Sequence, residues 1–142
     1  MTLAGGQSMA KIARTIRTLL PTYQKDRQRW RKQILSNVRE EATRRGVKYE
    51  DNDLLDIEVL LYLTRGKRHD IHDVDNRLKD ILDALQGRFR GYTPKKEPRL
   101  IANDNKICRA VIEKRPTPKV YKNKSKDTGG KLTIRAFKRT AR

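Results

Sequence analysis

A single cysteine, Cys108, and two histidines, His69 and His72, are all that this 142-residue chain has of the softer metal ligands. An intrachain disulfide is therefore excluded, and so is a cysteine-based zinc site within one chain. The spacing of His69 and His72 suits a transition metal, but with so few nitrogen and sulfur donors the expected role is exposure to solvent or contact with phosphate. Aromatic residues make up 6% of the chain with one tryptophan, Trp30. That excludes a row of rings on which a single-strand binder stacks bases, and Trp30 is expected in the core. No stretch approaches the roughly 18 uncharged apolar residues of a membrane span, and the N-terminus lacks a basic segment, apolar run and cleavage site in succession. A soluble, cytoplasmic, non-secreted protein is expected.

Acid is scarce too. Seventeen Asp and Glu stand against 35 Lys and Arg, a formal net charge of +18. Residues 1–50 carry 12 basic and 4 acidic side chains, residues 51–110 carry 12 and 11, and residues 111–142 carry 11 and 2. Both ends are cationic and the middle holds most of the carboxylates. Such self-repulsion is relieved by a polyanion, and nucleic acid is the usual one for a soluble basic protein.

The length fits one domain. Residues 1–9 (MTLAGGQSM) read as a disordered segment and 10–142 as a single domain. From Ala10 to Leu20, Ile12, Ile16, Leu19 and Leu20 recur at helical spacing, with a short strand as the alternative. Trp30, Ile34, Leu35, Val38 and Ala42 mark one face of a basic amphipathic helix from about Thr22 to Arg45, ended by Gly46. Leu54–Leu63 alternates as a strand, with Ile57, Val59, Leu61 and Leu63 opposite Asp56, Glu58, Leu60 and Tyr62. A second helix is expected from Val74 to Gln86 with a buried stripe of Val74, Leu78, Ile81, Leu82 and Leu85, closed by Gly87. After a long basic loop, Gly87–Leu100, the segment Lys106–Arg115 reads as a strand with Ile107, Arg109 and Val111 on one side and Cys108, Ala110 and Ile112 on the other. Cys108 is expected as a small core residue. Gly129-Gly130 leads into a last strand, Lys131–Phe137, which is expected to form a hairpin with the strand before it. The sum is an α+β fold: a small mixed sheet of three or four strands with helices packed on one face.

The chemistry concentrates in His69–Leu85, HDIHDVDNRLKDILDAL. A single Asp before a helix is by default an N-cap. Asp73 and Asp75 together, with Asp104 in a later loop, ask for more. Two like charges about 4 Å apart repel by about 4 kcal/mol at an effective dielectric near 20, which favours a cation between them. Hard divalent ions take such oxygen ligands, and inside a polycation a metal-binding carboxylate nest points to a phosphodiester substrate. On a helix Lys79 lies four residues after Asp75 and four before Asp83, the spacing of an ordinary ion pair.

The pattern Asp73-Val74-Asp75-Asn76-x-x-Lys79-x-x-x-Asp83-Ala84-Leu85, followed by Asp104-x-x-Ile107 and by Gly129–Ile134, resembles the signature of the RusA family of Holliday-junction resolvases over roughly residues 54–137. The family's usual Pro-rich, Asn-containing first strand has no counterpart in Ile12–Pro21. The resemblance implies a homodimeric, Mg²⁺-dependent endonuclease that cuts four-way DNA junctions symmetrically in recombination and repair, nucleoid-associated and either cellular or phage-encoded. It implies one or two Mg²⁺ ions per subunit on Asp73, Asp75 and Asp104, and a catalytic or phosphate-binding role for Lys79. Asn76 and Asp83 would support these residues. Arg27 and Arg31 on the basic helix, Arg88, Arg90, Lys95 and Lys96 in the long loop, and Lys122, Lys124 and Lys126 in the lysine-rich loop are expected to hold the DNA backbone. The segment Ile12–Leu20 is the expected dimer surface. Two rival readings use the same residues: a non-catalytic basic nucleic-acid-binding protein whose aspartates cap and pair, and a related nuclease acting on flaps or forks.

Overall fold

The computed structural model describes residues 14–50, 52–63, 73–121 and 129–138. The expected disordered segment 1–9, His69, His72, Lys122, Lys124 and Lys126 lie outside them.

The first element corrects the helical spacing read from Ala10–Leu20: β1 spans Thr15–Leu20 as a strand. Its Ile16 and Leu20 face inward and pair with Ile134 and Gly130 of β4 (Gly130–Lys138). With Ile16 0% and Leu20 1% exposed, these apolar residues belong to the core, so they are not the dimer surface expected of Ile12–Leu20. Helix α1, Arg27–Arg45, starts five residues later than expected because Asp26 caps it, accepting from the Arg29 amide at 3.1 Å. It ends where Gly46 takes up a left-handed φ of 67°. The buried residues of α1 are Trp30, Ile34, Leu35, Val38 and Ala42, the face read from the sequence, and the Trp30 indole donates to the Pro21 carbonyl at 2.9 Å.

Strand β2, Asp53–Leu63, buries Leu55, Ile57, Val59 and Leu61 on alternate positions. Helix α2, Val74–Leu85, then leads back to β3, Ile107–Pro116, which runs parallel to β2. The strand order is β1-β4-β2-β3. This is the mixed four-stranded sheet of an α+β fold, but the hairpin expected between the last two strands is absent: β4 lies between β1 and β2, antiparallel to both. The reason is composition. In β4, Leu132, Ile134 and Ala136 are all buried, which suits a central position, whereas most of β3 is exposed, which suits an edge. Gly129-Gly130 makes the crossing possible. A Cβ at Gly130 would stand 2.2 Å from the Leu60 carbonyl oxygen, and one at Gly129 would stand 2.4 Å from that of Pro21.

The inward sheet residues and both helices form one core cluster, so the helices cover one face. The other face carries Asp56 and Glu58 of β2 paired with Arg109 of β3 and Arg135 of β4. A register shift between Leu55 and Asp56 sets Ile107 opposite Leu55 but Arg109 opposite Asp56. Ile107 and Arg109, expected on the same side, are thereby turned to opposite faces. Cys108 at the shift is exposed rather than a core residue, and its thiol donates to the Leu55 carbonyl at 3.3 Å. Among the described residues no helix is long and apolar enough to cross a membrane.

Candidate metal centre and nucleic-acid interface

Asp73 and Asp75 straddle the start of α2. Asp73 is its N-cap, with extended backbone (φ −77°, ψ 112°), and one carboxylate oxygen accepts from the Asp75 amide at 3.1 Å. The other accepts from the Asn76 side-chain amide at 3.2 Å. The capping geometry thus uses Asp73 and Asn76 as a local unit. Asp75 lies in the first helical turn, where the helix dipole favours a carboxylate, and is exposed; no described residue pairs with its side chain. Four residues on, the Lys79 ammonium lies 3.2 Å from Asp83, with 66% of its side chain exposed. Asp83 also stands 3.4 Å from Arg31. Asp73, Asp75, Asn76, Lys79 and Asp83 therefore all lie along α2.

Asp104 lies elsewhere. It opens the 3₁₀ turn Asp104–Lys106 directly before β3, whose first residue, Ile107, is beside Leu55 near the beginning of β2. Connecting two parallel strands requires the chain to leave one end of the sheet and return to the other. Helix α2 is that return. Near its start, the Arg77 guanidinium lies 4.0 Å over the Tyr23 ring and 6.0 Å from that of Trp30, just beyond the end of β1, where Leu20 pairs with Gly130 and Gly130 with Leu61. At its other end the Leu85 carbonyl accepts from the Leu100 and Ile101 amides. A 12-residue helix is about 18 Å long, so within one chain Asp73 and Asp75 occupy one end of the crossover and Asp104 the other. Among the described residues no three His, Cys, Asp or Glu side chains form a group that can hold one metal ion. Among the described residues, Asp73 and Asp75 are the two neighbouring carboxylates at the start of α2.

The buried stripe of α2 also departs from expectation. Ile81 and Leu85 are buried, but Val74, Leu78 and Leu82 are only partly so, while Arg77, Asp80, Asp83 and Ala84 are buried. The cause is the partner helix. Asp80, 0% exposed, accepts from Arg27 at 2.9 and 3.1 Å and from Arg31 at 2.7 and 3.0 Å. Arg77 lies 3.6 Å from the other oxygen of Asp80. The hydrogen bond with Asp80 holds the Arg27 pKa above its usual value. Arg27 and Arg31, expected on phosphate, are thus tied to α2. Arg31 keeps only 12% of its side chain exposed, whereas Arg27 keeps 42% and can still meet an anion. Sequence reading missed this network, whose signal was Arg77, Asp80 and Ala84 sharing a helix face with Ile81.

Arg88, Arg90, Lys95 and Lys96 are exposed along the loop after α2, which is stitched to α1 where Gln28 accepts from the Arg90 amide at 2.8 Å and the Arg88 carbonyl accepts from Arg31 at 3.2 Å. These four remain available to a polyanion. Beyond them a cavity of about 390 Å³ opens between Tyr49, Asp53 and Leu55 and the segment 99–103, with Lys106 at its wall. Burial raises the Tyr49 pKa, so its hydroxyl stays protonated. A scan against protein-family models finds no match, and a search of curated proteins returns no relative.

Proposed function

We propose that this chain is a Mg²⁺-dependent, structure-specific DNA endonuclease that acts as a homodimer and resolves four-way junctions by paired nicks. One observation carries the reading: in a chain of net charge +18, Asp75 stands exposed beside Asp73 at a helix start, with no partner for its side chain among the described residues, within a residue pattern that resembles the RusA signature. Two neighbouring carboxylates in so basic a chain suit a divalent ion. Asp73 and Asp75 of one subunit, with Asp104 of the partner subunit, are the residues that would hold it, because the crossover keeps the two ends of a single chain apart. A bound Mg²⁺ supplies a nucleophilic water near neutral pH and offsets charge developing on the leaving oxygen. Lys79, mostly exposed and held by Asp83, adds positive charge beside the scissile phosphate. Arg88, Arg90, Lys95 and Lys96 hold the backbone without reading sequence.

The test is purified protein with Mg²⁺ on four-way, forked and linear DNA of matched sequence. Paired nicks in the four-way substrate are expected; cleavage confined to forks or flaps would shift the substrate class, and no cleavage of any of them would sink the reading. Mixing Asp75→Asn with Asp104→Asn, each inactive alone, then tests the shared site. A mixed dimer would pair the intact Asp75 of one chain with the intact Asp104 of the other and regain one nick per junction. Wild-type activity without such rescue would mean that each chain holds a complete site.

A second reading has its own support. Asp73 caps α2 and Lys79 pairs with Asp83, as they would in a non-catalytic nucleic-acid-binding protein. That reading predicts that Asp75→Asn leaves every activity of the protein unchanged.

A further inference from the structure

We infer that the outer edge of β3 is the surface on which two copies of this chain join, by antiparallel pairing of β3 with itself about a twofold axis at Val111. The inference rests on the homodimer reading above and adds where the dimer forms.

Among the described residues β3 pairs only with β2, which leaves the other side of a ten-residue strand unpaired. A long free edge is a template for a further strand, and proteins that remain monomeric usually shorten, bend or charge it. Here the middle of the strand, Arg109-Ala110-Val111-Ile112-Glu113, carries one positive and one negative side chain, and its further charges, Lys114 and Arg115, lie at the strand's end. Two copies approach there with little repulsion. Val111, 37% exposed, is one of only two large hydrophobic residues found exposed among the described residues, and Ala110 beside it is exposed as well.

Sheet parity selects the register. Residues directly opposite in an antiparallel pair point to the same face. Arg109, Val111 and Glu113 pair with Asp56, Glu58 and Leu60, on the face without helices, while Ala110 and Ile112 pair with Ile57 and Val59, on the helix face. Centring the axis on Val111 keeps both faces matched. Val111 then meets Val111 of the partner subunit once, on the axis, while Ala110 meets Ile112 of the partner subunit and Arg109 meets Glu113 of the partner subunit, these two pairs each occurring twice. Val111, Ala110 and Ile112 find apolar neighbours, and Glu113, paired with Arg115 of its own chain, meets an Arg109 that also serves Asp56 and Glu58. The same pairing lays the start of β3 in one chain beside the end of β3 in the other. That brings the Asp104 end of one crossover toward the end of the other from which α2 begins, the approach that a shared metal site needs.

The experiment reads association without DNA or metal, so a protein that dimerises in this way yet cuts nothing retains this inference and loses the proposed function. By sedimentation at 10 µM, wild type is expected at twice 16.6 kDa. Val111→Lys sets two like charges on the axis and is expected to weaken dimerisation at least 100-fold, giving a species near 16.6 kDa. In a Cys108→Ser background, Val111→Cys is expected to oxidise to a covalent dimer, because opposed Cα atoms of an antiparallel pair lie about 4.5–5.5 Å apart, within disulfide range. Wild type, with Cys108 off the axis, is not. A monomeric wild type, a Val111→Lys dimer of unchanged affinity, or failure of Val111→Cys to cross-link in a dimer that persists would each overturn the assignment. The cross-linking arm decides the matter even if Val111→Lys fails to fold.

Discussion

Asp73 caps α2 and, in the proposed function, would also hold the metal, two roles that substitution can separate. As an N-cap it needs an acceptor oxygen, which Asn supplies as well as Asp; as a metal ligand it needs charge, which Asn lacks. Asp73→Asn is therefore expected to keep the wild-type melting temperature while losing cleavage, and Asp73→Ala to lose cleavage and about 1 kcal/mol of stability as well. Thermal melts beside a nicking assay separate the two, and equal destabilisation by both would show that the carboxylate charge matters to the fold. Asp75 has no capping role, so Asp75→Asn is expected to abolish cleavage while junction binding stays equal or tightens, since a repelling charge is removed from a basic surface. Parallel loss of binding in a folded variant would mark Asp75 as structural. Asp80 is the contrast. Removing its carboxylate by Asp80→Ala leaves Arg77 buried without its anion and Arg31 with only Asp83 at 3.4 Å, a change that costs about 3–5 kcal/mol in comparable buried pairs, and urea unfolding should report it.

At the scale of elements, α1 and α2 meet through ions, Arg27 and Arg31 of one on Asp80 of the other. The rim of that contact, Arg27, is more solvated than Arg31, so Arg27→Ala should destabilise less than Arg31→Ala. On the opposite side of the sheet, hydrogen bonds from Arg109 and then Arg135 hold the Glu58 pKa below the usual carboxylate value. A carboxyl whose folded pKa lies below its unfolded one stabilises the fold above the unfolded value and loses that contribution as pH falls through the folded one. Stability is therefore expected to decline as pH drops below the ordinary carboxylate range, and Glu58→Gln should flatten that part of the profile. Urea midpoints between pH 6 and pH 3 measure it. A profile unchanged by the substitution would mean that the open-face ion pairs are too solvated to matter.

For the whole molecule, the proposed function makes the net charge of +18 the main term in encounter with DNA. Each phosphate neutralised on duplex DNA adds about 0.9 to the magnitude of the slope of log K against log salt. Junction binding is expected to fall steeply with salt, and Lys95→Ala with Lys96→Ala to lower the slope by up to about 2 while weakening all sequences alike. A flat salt response in fluorescence anisotropy would remove the basic surface from the account.

What the sequence determined by itself is what short-range physics writes into neighbouring residues. Gly46 stops α1, alternation over Ile57, Val59 and Leu61 makes β2 half-buried, and Asp73 before Val74 starts α2; each depends on residues a few positions apart. Tertiary structure decided everything set by pairing over long separations. Helical spacing in Ile16–Leu20 gave way to a strand because β4, more than a hundred residues later, offers it an antiparallel partner. The order β1-β4-β2-β3 followed from which strand could bury its inward residues, so β4 moved inside and β3 to the edge. Arg77 and Asp80 are buried because Arg27 and Arg31 on another helix neutralise Asp80, a compensation invisible within α2. The separation of Asp104 from Asp73 and Asp75 came from the parallel crossover: spacing along the chain says nothing about which end of a sheet a residue will reach.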